Sequence, residues 1–327
     1  MKQTCILVLG MHRSGTSALT GLLSLLDVHL GSELMKANFA NEKGYFENEY
    51  IVNFNDKILK KLNSSWDDIF FDYDLKKDLI TQSDIEELKN IMLQEFSSNT
   101  LFAIKDPRIC YLFPLYEEVL KGLQIEIKIL LPYRNPIEVS QSLEKRDNFS
   151  LEKSIALWLN HFLEAELRSR EYPRYFLKFD NLLNETEEVI KKIDKFLGIN
   201  IYEKYMKNKT KIDLFLEVGL KHNNLEDLSL KKGIRFILQD FLKIYHEELN
   251  KVSKETFDLM YYKNSEIRLF YKDFNMGLRQ ELNNTKEELN QTKQELNQTK
   301  QELIEVYTSK SWKATRPLRA IMRVIKK

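Results

Sequence analysis

Residues 10–19 read GMHRSGTSAL and follow directly on the apolar run CILVLG at 5–10. An unbroken apolar run suits a central strand of a parallel sheet, covered on both faces. Gly10 and Gly15 bracket a short loop, and the leucines of TSALTGLLSLLDV recur beyond it at helical spacing. A strand that turns through such a loop into a helix aims several backbone N–H groups at one point. The positive end of the helix dipole lies behind them, so the point favours an anion. Thr16 and Ser17 add hydroxyls, and Arg13 can fork onto phosphate or sulfate oxygens. The stretch fits G-x-x-x-x-G-x-[ST]. It departs from the signature of triphosphate-binding loops at the lysine alone, where Thr16 stands.

Outward from this loop the same alternation continues. TLFAIKDP (100–107) reads as a second strand stopped by Pro107, and IEIKILLPYRNP (125–136) as a third that runs into the helix IEVSQSLEKR. RYFLKFDNLL (174–183) is a fourth strand candidate. Asn184 and Glu187 then read as the N-cap and N3 residues of the helix ETEEVIKKIDKFLG, which closes at Gly198. Strands alternating with helices at this rhythm predict an α/β fold in layers around a mostly parallel central sheet. Arg134 leaves the third strand at what would be the carboxyl edge of that sheet, where open α/β sheets bind ligands, and Ser142 follows eight residues later on the next helix.

The chain of 327 residues is 43% hydrophobic and 30% charged, with six prolines and ten glycines, which excludes fibrous and disordered classes. A formal net charge of +1 offers no general footprint for nucleic acid, and none is expected as a partner. Cys5 and Cys110 both lie in apolar runs and read as buried, reduced thiols of a cytoplasmic protein. No apolar run approaches a membrane span, and the five histidines show no metal-ligand spacing.

Three regions follow from the composition. Residues 1–275 form the catalytic-type domain, with the recognisable blocks at 4–200 and a helical, aromatic-rich remainder at 201–275. From 278 to 306 a heptad array appears: Leu282, Leu289, Leu296 and Leu303 recur every seven residues, with Thr285, Thr292 and Thr299 three positions on. This predicts a coiled coil, and through it homo-oligomerisation, with threonine making a weak seam. Residues 307–327 then carry Lys310, Lys313, Arg316, Arg319, Arg323, Lys326 and Lys327 and no acid, interleaved with Trp312, Leu318, Ile321, Met322 and Ile325. Such a tail suits peripheral contact with an anionic membrane face; its bland reading is a frayed, solvated end.

Four blocks carry a resemblance: LGMHRSGTSAL, KDPR at 105–108, YRNPIEVSQSL, and FLKFDNLLNETEEVIKKIDKFLGI, in this order. Together they resemble the sulfotransferase family, in its bacterial carbohydrate-type branch. The resemblance implies a P-loop-kinase-like three-layer fold and the donor 3′-phosphoadenosine-5′-phosphosulfate (PAPS). It implies that Arg13, Ser14, Gly15, Thr16 and Ser17 hold the phosphosulfate and that Arg134 and Ser142 hold the 3′-phosphate. Many cytosolic members have lysine where this chain has Arg13. Arg146 is a further candidate to face the donor.

The base that takes the acceptor's proton is less determined. GYFE at 44–47 resembles a block of related bacterial enzymes, which favours Glu47, with Glu42 and Glu49 beside it in the same polar stretch. Lys105 could neutralise charge on the leaving group. Asp106 could be the base instead, or could pair Arg108 or Arg13. Cytosolic members use a histidine near this strand end and this chain has none there; His12 reads as packing within the loop. No metal is required. The tail SKSWKATRPLRAI is similar to tails of bacterial glycan-assembly enzymes, which implies a carbohydrate acceptor on a surface glycan or its lipid-linked precursor. The competing readings are a P-loop nucleotide kinase and a non-catalytic assembly factor that acts through its coiled coil.

Overall fold

Both faces of a central parallel strand must be covered, and the alternation along the first strand shows how this is done. Strand β1 (Thr4–Val8) sends Cys5 and Leu7, with Leu9 just beyond, into one apolar cluster and Ile6 and Val8 into another. The chain is described here by a computed structural model, covering residues 3–36, 44–217, 232–245, 247–315, 317–319 and 322; at 232–237 and 273–283 the description is of backbone alone. Glu42 and the tail residues Arg316, Ile321, Arg323, Ile325, Lys326 and Lys327 lie outside the described residues. Two units are distinguished, Met1–Arg268 and Leu269–Lys327.

In the first unit, β1 leads into α1 (Thr16–Leu25), followed by α2 (Glu49–Lys61) and α3 (Gln82–Phe96). Strand β2 (Leu101–Lys105), α4 (Ile109–Gly122), β3 (Glu126–Tyr133), α5 (Pro136–Asp147) and α6 (Leu151–Arg168) come next. They are followed by β4 (Arg174–Lys178), α7 (Phe179–Asn184), α8 (Thr186–Leu197) and α9 (Tyr202–Glu217). Helix α10 (Lys232–Ile244) and the first turns of α11 (Lys254–Thr308) complete the unit. Among the described residues the sheet has four strands in the order β2-β1-β3-β4, and every pairing is parallel. This is an α/β fold in three layers, as the strand and helix rhythm predicts.

One layer packs Phe54, Met92, Leu112, Trp158, Phe162, Phe241 and Phe257 against the Cys5–Leu7 face of the sheet. The other packs Leu19, Leu22, Ile190, Ile193, Tyr205 and Ile212 against the Ile6–Val8 face. Trp158 is core, stacked on Phe162 with ring centroids 5.1 Å apart. Cys5 and Cys110 are both buried, and burial pushes their thiols above the ordinary value.

The fourth strand is shorter than its sequence suggests. Only Arg174–Lys178 pairs with β3; Phe179–Asn184 is already helical. The chain leaves the sheet at Phe179 because that ring is needed elsewhere, against Gly15 and under Arg134. A second correction follows. Asn184 ends α7 and is not the cap of the next helix; Glu185 takes that position without a side-chain cap bond. Gly198 does close α8, at φ 66°.

In the second unit, α11 runs unbroken through the heptads, and α12 (Lys310–Ala314) begins behind the cap Ser309, whose hydroxyl accepts from Trp312 N–H. The Arg319 guanidinium lies 3.5 Å from the centre of the Trp312 ring. Among the described residues no helix is long and apolar enough to cross a membrane.

Gly15 has φ 91°, and a methyl built on it would lie 2.3 Å from Cδ2 of Phe179. Gly15→Ala therefore combines left-handed strain with overpacking. It is expected to lower unfolding free energy by about 2–4 kcal/mol, read as a reduced denaturation midpoint at unchanged slope.

Candidate functional site

Parallel pairing places all strand carboxyl ends on one edge. Val8 lies opposite Lys105 of β2 and Leu130 of β3, so the loop after β1 emerges between the two neighbouring strand ends. Residues 10–15 form that loop. Arg13 has φ 69° and Gly15 φ 91°, two left-handed residues that curl the backbone tightly. Gly15 caps α1 with no side-chain bond, which leaves the N–H groups of the helix's first turn for another acceptor. Ser14 is buried, and its Oγ has no hydrogen-bond partner among the described residues. A buried unpaired hydroxyl is costly, and one inside an anion-shaped loop has a natural use. Thr16 is buried in the first turn of α1 and its carbonyl accepts from Thr20 Oγ1 at 2.9 Å.

Arg13 reaches across to the third strand's outlet. Its Nε donates to Ser142 Oγ at 2.6 Å, joining the loop to the middle of α5. Arg134 leaves β3 with its guanidinium 4.9 Å from the Phe179 ring centre and its Nε donating to Glu138 Oε2 at 2.7 Å. Arg146, one turn beyond Ser142, donates to Asp147 at 2.8 Å and lies 5.5 Å from the Trp66 ring centre. Burial first, then the charges of Arg146 and Arg134, lower the pKa of Arg13. Three guanidinium groups thus share one positive field around a glycine loop, which suits an anion with more than one charged end.

A different pair of groups meets the loop at Ser17. Lys105 Nζ donates to Ser17 Oγ at 3.3 Å and forms a closer bond with Glu47 Oε1; both charged side chains are buried. Ser17 Oγ in turn donates to the Tyr45 carbonyl at 3.3 Å. Burial pushes the Glu47 carboxyl above the ordinary glutamate value; Lys105 pulls it back and Asp106 raises it further. Glu47 is fixed from behind by a clamp that begins at the next residue. Asn48 caps α2 through Ile51 N–H at 3.2 Å, and its Nδ2 donates to Glu95 Oε2 at 2.8 Å. Glu95 also accepts from Ser32 N–H at 2.7 Å, and Met35 N–H donates to the Glu47 carbonyl at 2.8 Å. Glu49, by contrast, is exposed on the first turn of α2.

Asp106 is fully buried and its two oxygens are engaged. Oδ2 accepts from Asn55 Nδ2 at 2.9 Å, and Oδ1 accepts from Arg108 N–H and Nη1, each at 2.9 Å. Arg108 also grips Asp56 through Nε at 2.6 Å. Asp106 thus pairs with Arg108, one of the partners expected for it. The ensemble ties α2 to the end of β2 and so sets Lys105 and Glu47 against each other.

His12 sits in the loop, its ring edge-on to Trp66 at 4.7 Å. Burial first, then nearby Arg146 and Arg108, hold its pKa well below the ordinary value, so the imidazole is neutral; among the described residues its Nε2 has no hydrogen-bond partner. His161 is core, bonded to the Leu157 carbonyl at 2.8 Å and held down to about 4 by burial. Among the described residues no group of three or more His, Cys, Asp or Glu side chains is placed to hold a metal ion.

The sequence analysis does not single out Phe179, Glu138, Trp66, Asn48, Asn55 or Glu95. Asn48 is the buried cap of α2, Asn55 and Glu95 are buried polar residues on helices, and only a burial pattern with their partners in view would single them out.

No family model and no curated protein matches the chain. Among solved structures it is similar to the sulfotransferase domain from the curacin biosynthetic pathway, at 12% identity over 74% of this chain and 98% of that one, with a TM-score of 0.39. The sulfotransferase domain from the Synechococcus PCC 7002 olefin synthase matches at 15% over 74% and 96%, with a TM-score of 0.38. Sulfotransferase STF1 from Mycobacterium tuberculosis H37Rv matches at 11% over 72% and 76%, also with a TM-score of 0.38.

Replacing Asp106 by Asn removes a fully buried charge and leaves Arg108 partly unpaired. A loss of about 3 kcal/mol of stability is expected, measurable by chemical denaturation, with the Asp56 bond retaining part of the arginine's pairing.

Proposed function

We propose that the chain is a sulfotransferase that moves a sulfuryl group from PAPS to a hydroxyl of a carbohydrate acceptor. The observation that carries this reading is the Arg13–Ser142 bond at 2.6 Å. It joins a phosphate-type loop lacking the triphosphatase lysine to the arm bearing Arg134, so two separated anionic groups can be held at once. PAPS supplies a sulfuryl group on a phosphate leaving group, with a second phosphate at the far end. The orphaned Ser14 hydroxyl, the open N–H groups of α1 and the three arginines fit such a ligand.

In this reading Arg13, Ser14, Gly15, Thr16 and Ser17 cradle the phosphosulfate end, and Arg134 and Ser142 hold the 3′-phosphate. Glu47 takes the acceptor's hydroxyl proton while the acceptor oxygen bonds to sulfur and the bond from sulfur to the phosphate oxygen breaks. Lys105 balances the charge left on that phosphate oxygen. The buried Lys105–Glu47 pair gives the two roles a common control. While Lys105 stays on Glu47, the carboxylate is a poor base. Turning the ammonium past Ser17 toward a bound phosphate oxygen would free it. Asp106, saturated by Arg108 and Asn55, positions these two groups and does not take the proton.

Carbohydrate as acceptor rests on the sequence resemblance. So does residence on the cytoplasmic face of a membrane through the basic tail, for which Trp312 under Arg319 offers an aromatic and cationic pair suited to an anionic surface.

Incubation with label-bearing PAPS and a panel of glycans tests the reaction. Arg13→Ala and Arg134→Ala should each lower kcat/KM roughly 10- to 100-fold. Glu47→Gln should lower kcat by about 10²- to 10⁴-fold. Label transfer indifferent to all three substitutions would overturn the site. Because the base must be ionised and burial raises its pKa, activity should fall on acidification through an acid limb lying above the ordinary glutamate value of 4.5. That limb should vanish in Glu47→Gln. Deleting residues from Ser309 onward should release the protein from the membrane fraction; unchanged fractionation would remove the tail from the account.

A further inference from the structure

The heptad segment of α11 carries more information than its period. Leu289, Leu296 and Leu303 are each about half exposed (52, 52 and 51%), forming one stripe along the helix. Thr292 and Thr299 share that stripe three positions on, and their hydroxyls are already satisfied. Thr292 Oγ1 donates to the Glu288 carbonyl at 2.9 Å and Thr299 Oγ1 to the Glu295 carbonyl at 2.8 Å. The methyl groups can therefore be buried in a seam without stranding a polar atom.

With leucine at the first core position and threonine at the second, the flanking positions of every heptad are fixed. Glu281, Glu288, Glu295 and Glu302 precede each leucine, and Lys286, Lys293 and Lys300 follow each threonine. One flank of the seam is thus acidic in every repeat and the other basic. Coiled-coil partners set orientation through these flanking charges. In a parallel, in-register pair each acidic flank meets the partner's basic flank in the following heptad. Glu281 then faces Lys286, Glu288 faces Lys293, and Glu295 faces Lys300, in both directions across the seam. In an antiparallel pair acidic flanks meet acidic and basic meet basic, and every such contact is repulsive.

We propose that α11 associates with a second copy of this chain as a parallel, in-register coiled coil through Leu282–Val306, with orientation dictated by the glutamate and lysine flanks. The seam is short and half threonine, so the charges decide more here than in an all-leucine zipper. Parallel packing also brings the segments that follow Thr308 in the two chains out at the same end, where their cations act together on any anionic surface. This assembly is independent of the reaction assigned above.

The test uses the full chain. Sedimentation equilibrium should show a concentration-dependent assembly larger than one chain. The triple variant Glu281→Lys, Glu288→Lys, Glu295→Lys should weaken it roughly tenfold or more, and so should Lys286→Glu, Lys293→Glu, Lys300→Glu. Mixing the two variants should restore association. Orientation is read by cysteine cross-linking, since Cys5 and Cys110 are buried and do not compete. Thr299→Cys alone should form an interchain disulfide on mild oxidation. A single-chain mass at all concentrations would overturn the proposal, as would assembly unaffected by either triple variant. Cross-linking that appears only when Thr285→Cys and Leu303→Cys chains are mixed would overturn the parallel orientation.

Discussion

Everything at the candidate site depends on one constraint: all paired strands are parallel, so every carboxyl end falls on the same edge. Because β1 sits between β2 and β3, the loop after β1 opens between Lys105 on one side and the outlet of β3 on the other. No long-range search is needed to bring the loop, KDPR and YRNP blocks together. The sheet's hydrogen bonds do it, and the two apolar layers hold the sheet in place. Arg13 reaching Ser142 and Lys105 reaching Ser17 are short spans from that common edge.

The same economy explains the buried charges. Lys105, Glu47, Asp106 and Arg108 are all taken from water beside one another, an arrangement that hydrophobic replacements would match or exceed in stability. Asp106 and Arg108 are fully satisfied and tie α2 to β2. Lys105 and Glu47 satisfy each other. Asn48 bonds Glu95, and the Glu47 carbonyl accepts from Met35 N–H, so the backbone around Glu47 is tied on both sides.

Much of this was legible in the chain. The apolar run before Gly10, the loop with its two glycines and the strand outlets at Lys105 and Arg134 all stand where the spacing predicts, because strand periodicity and glycine placement are local properties. The failures were local readings overridden from a distance. RYFLKFDNLL reads as one strand, yet it bends at Phe179 because Gly15 and Arg134 both require that ring. Asn184 has the chemistry of a cap, yet a helix already occupies its position. Asp106 is a different matter: its place at a strand end is local, and only the folded chain brings Asn55 and Arg108 to its two oxygens.

The sequence by itself determined the class of fold, since a buried strand, a glycine-bracketed loop and a helix need only neighbouring residues. It also determined the heptad stripe and its flanking charges, which are a matter of period alone. The tertiary structure decided which charges are partners. Glu47 and Lys105 lie 58 positions apart and Arg13 and Ser142 lie 129 apart, and pairing at such separations is set by how the layers pack on the sheet. A carboxylate's role depends on what surrounds it, and what surrounds it is decided only when the chain has folded.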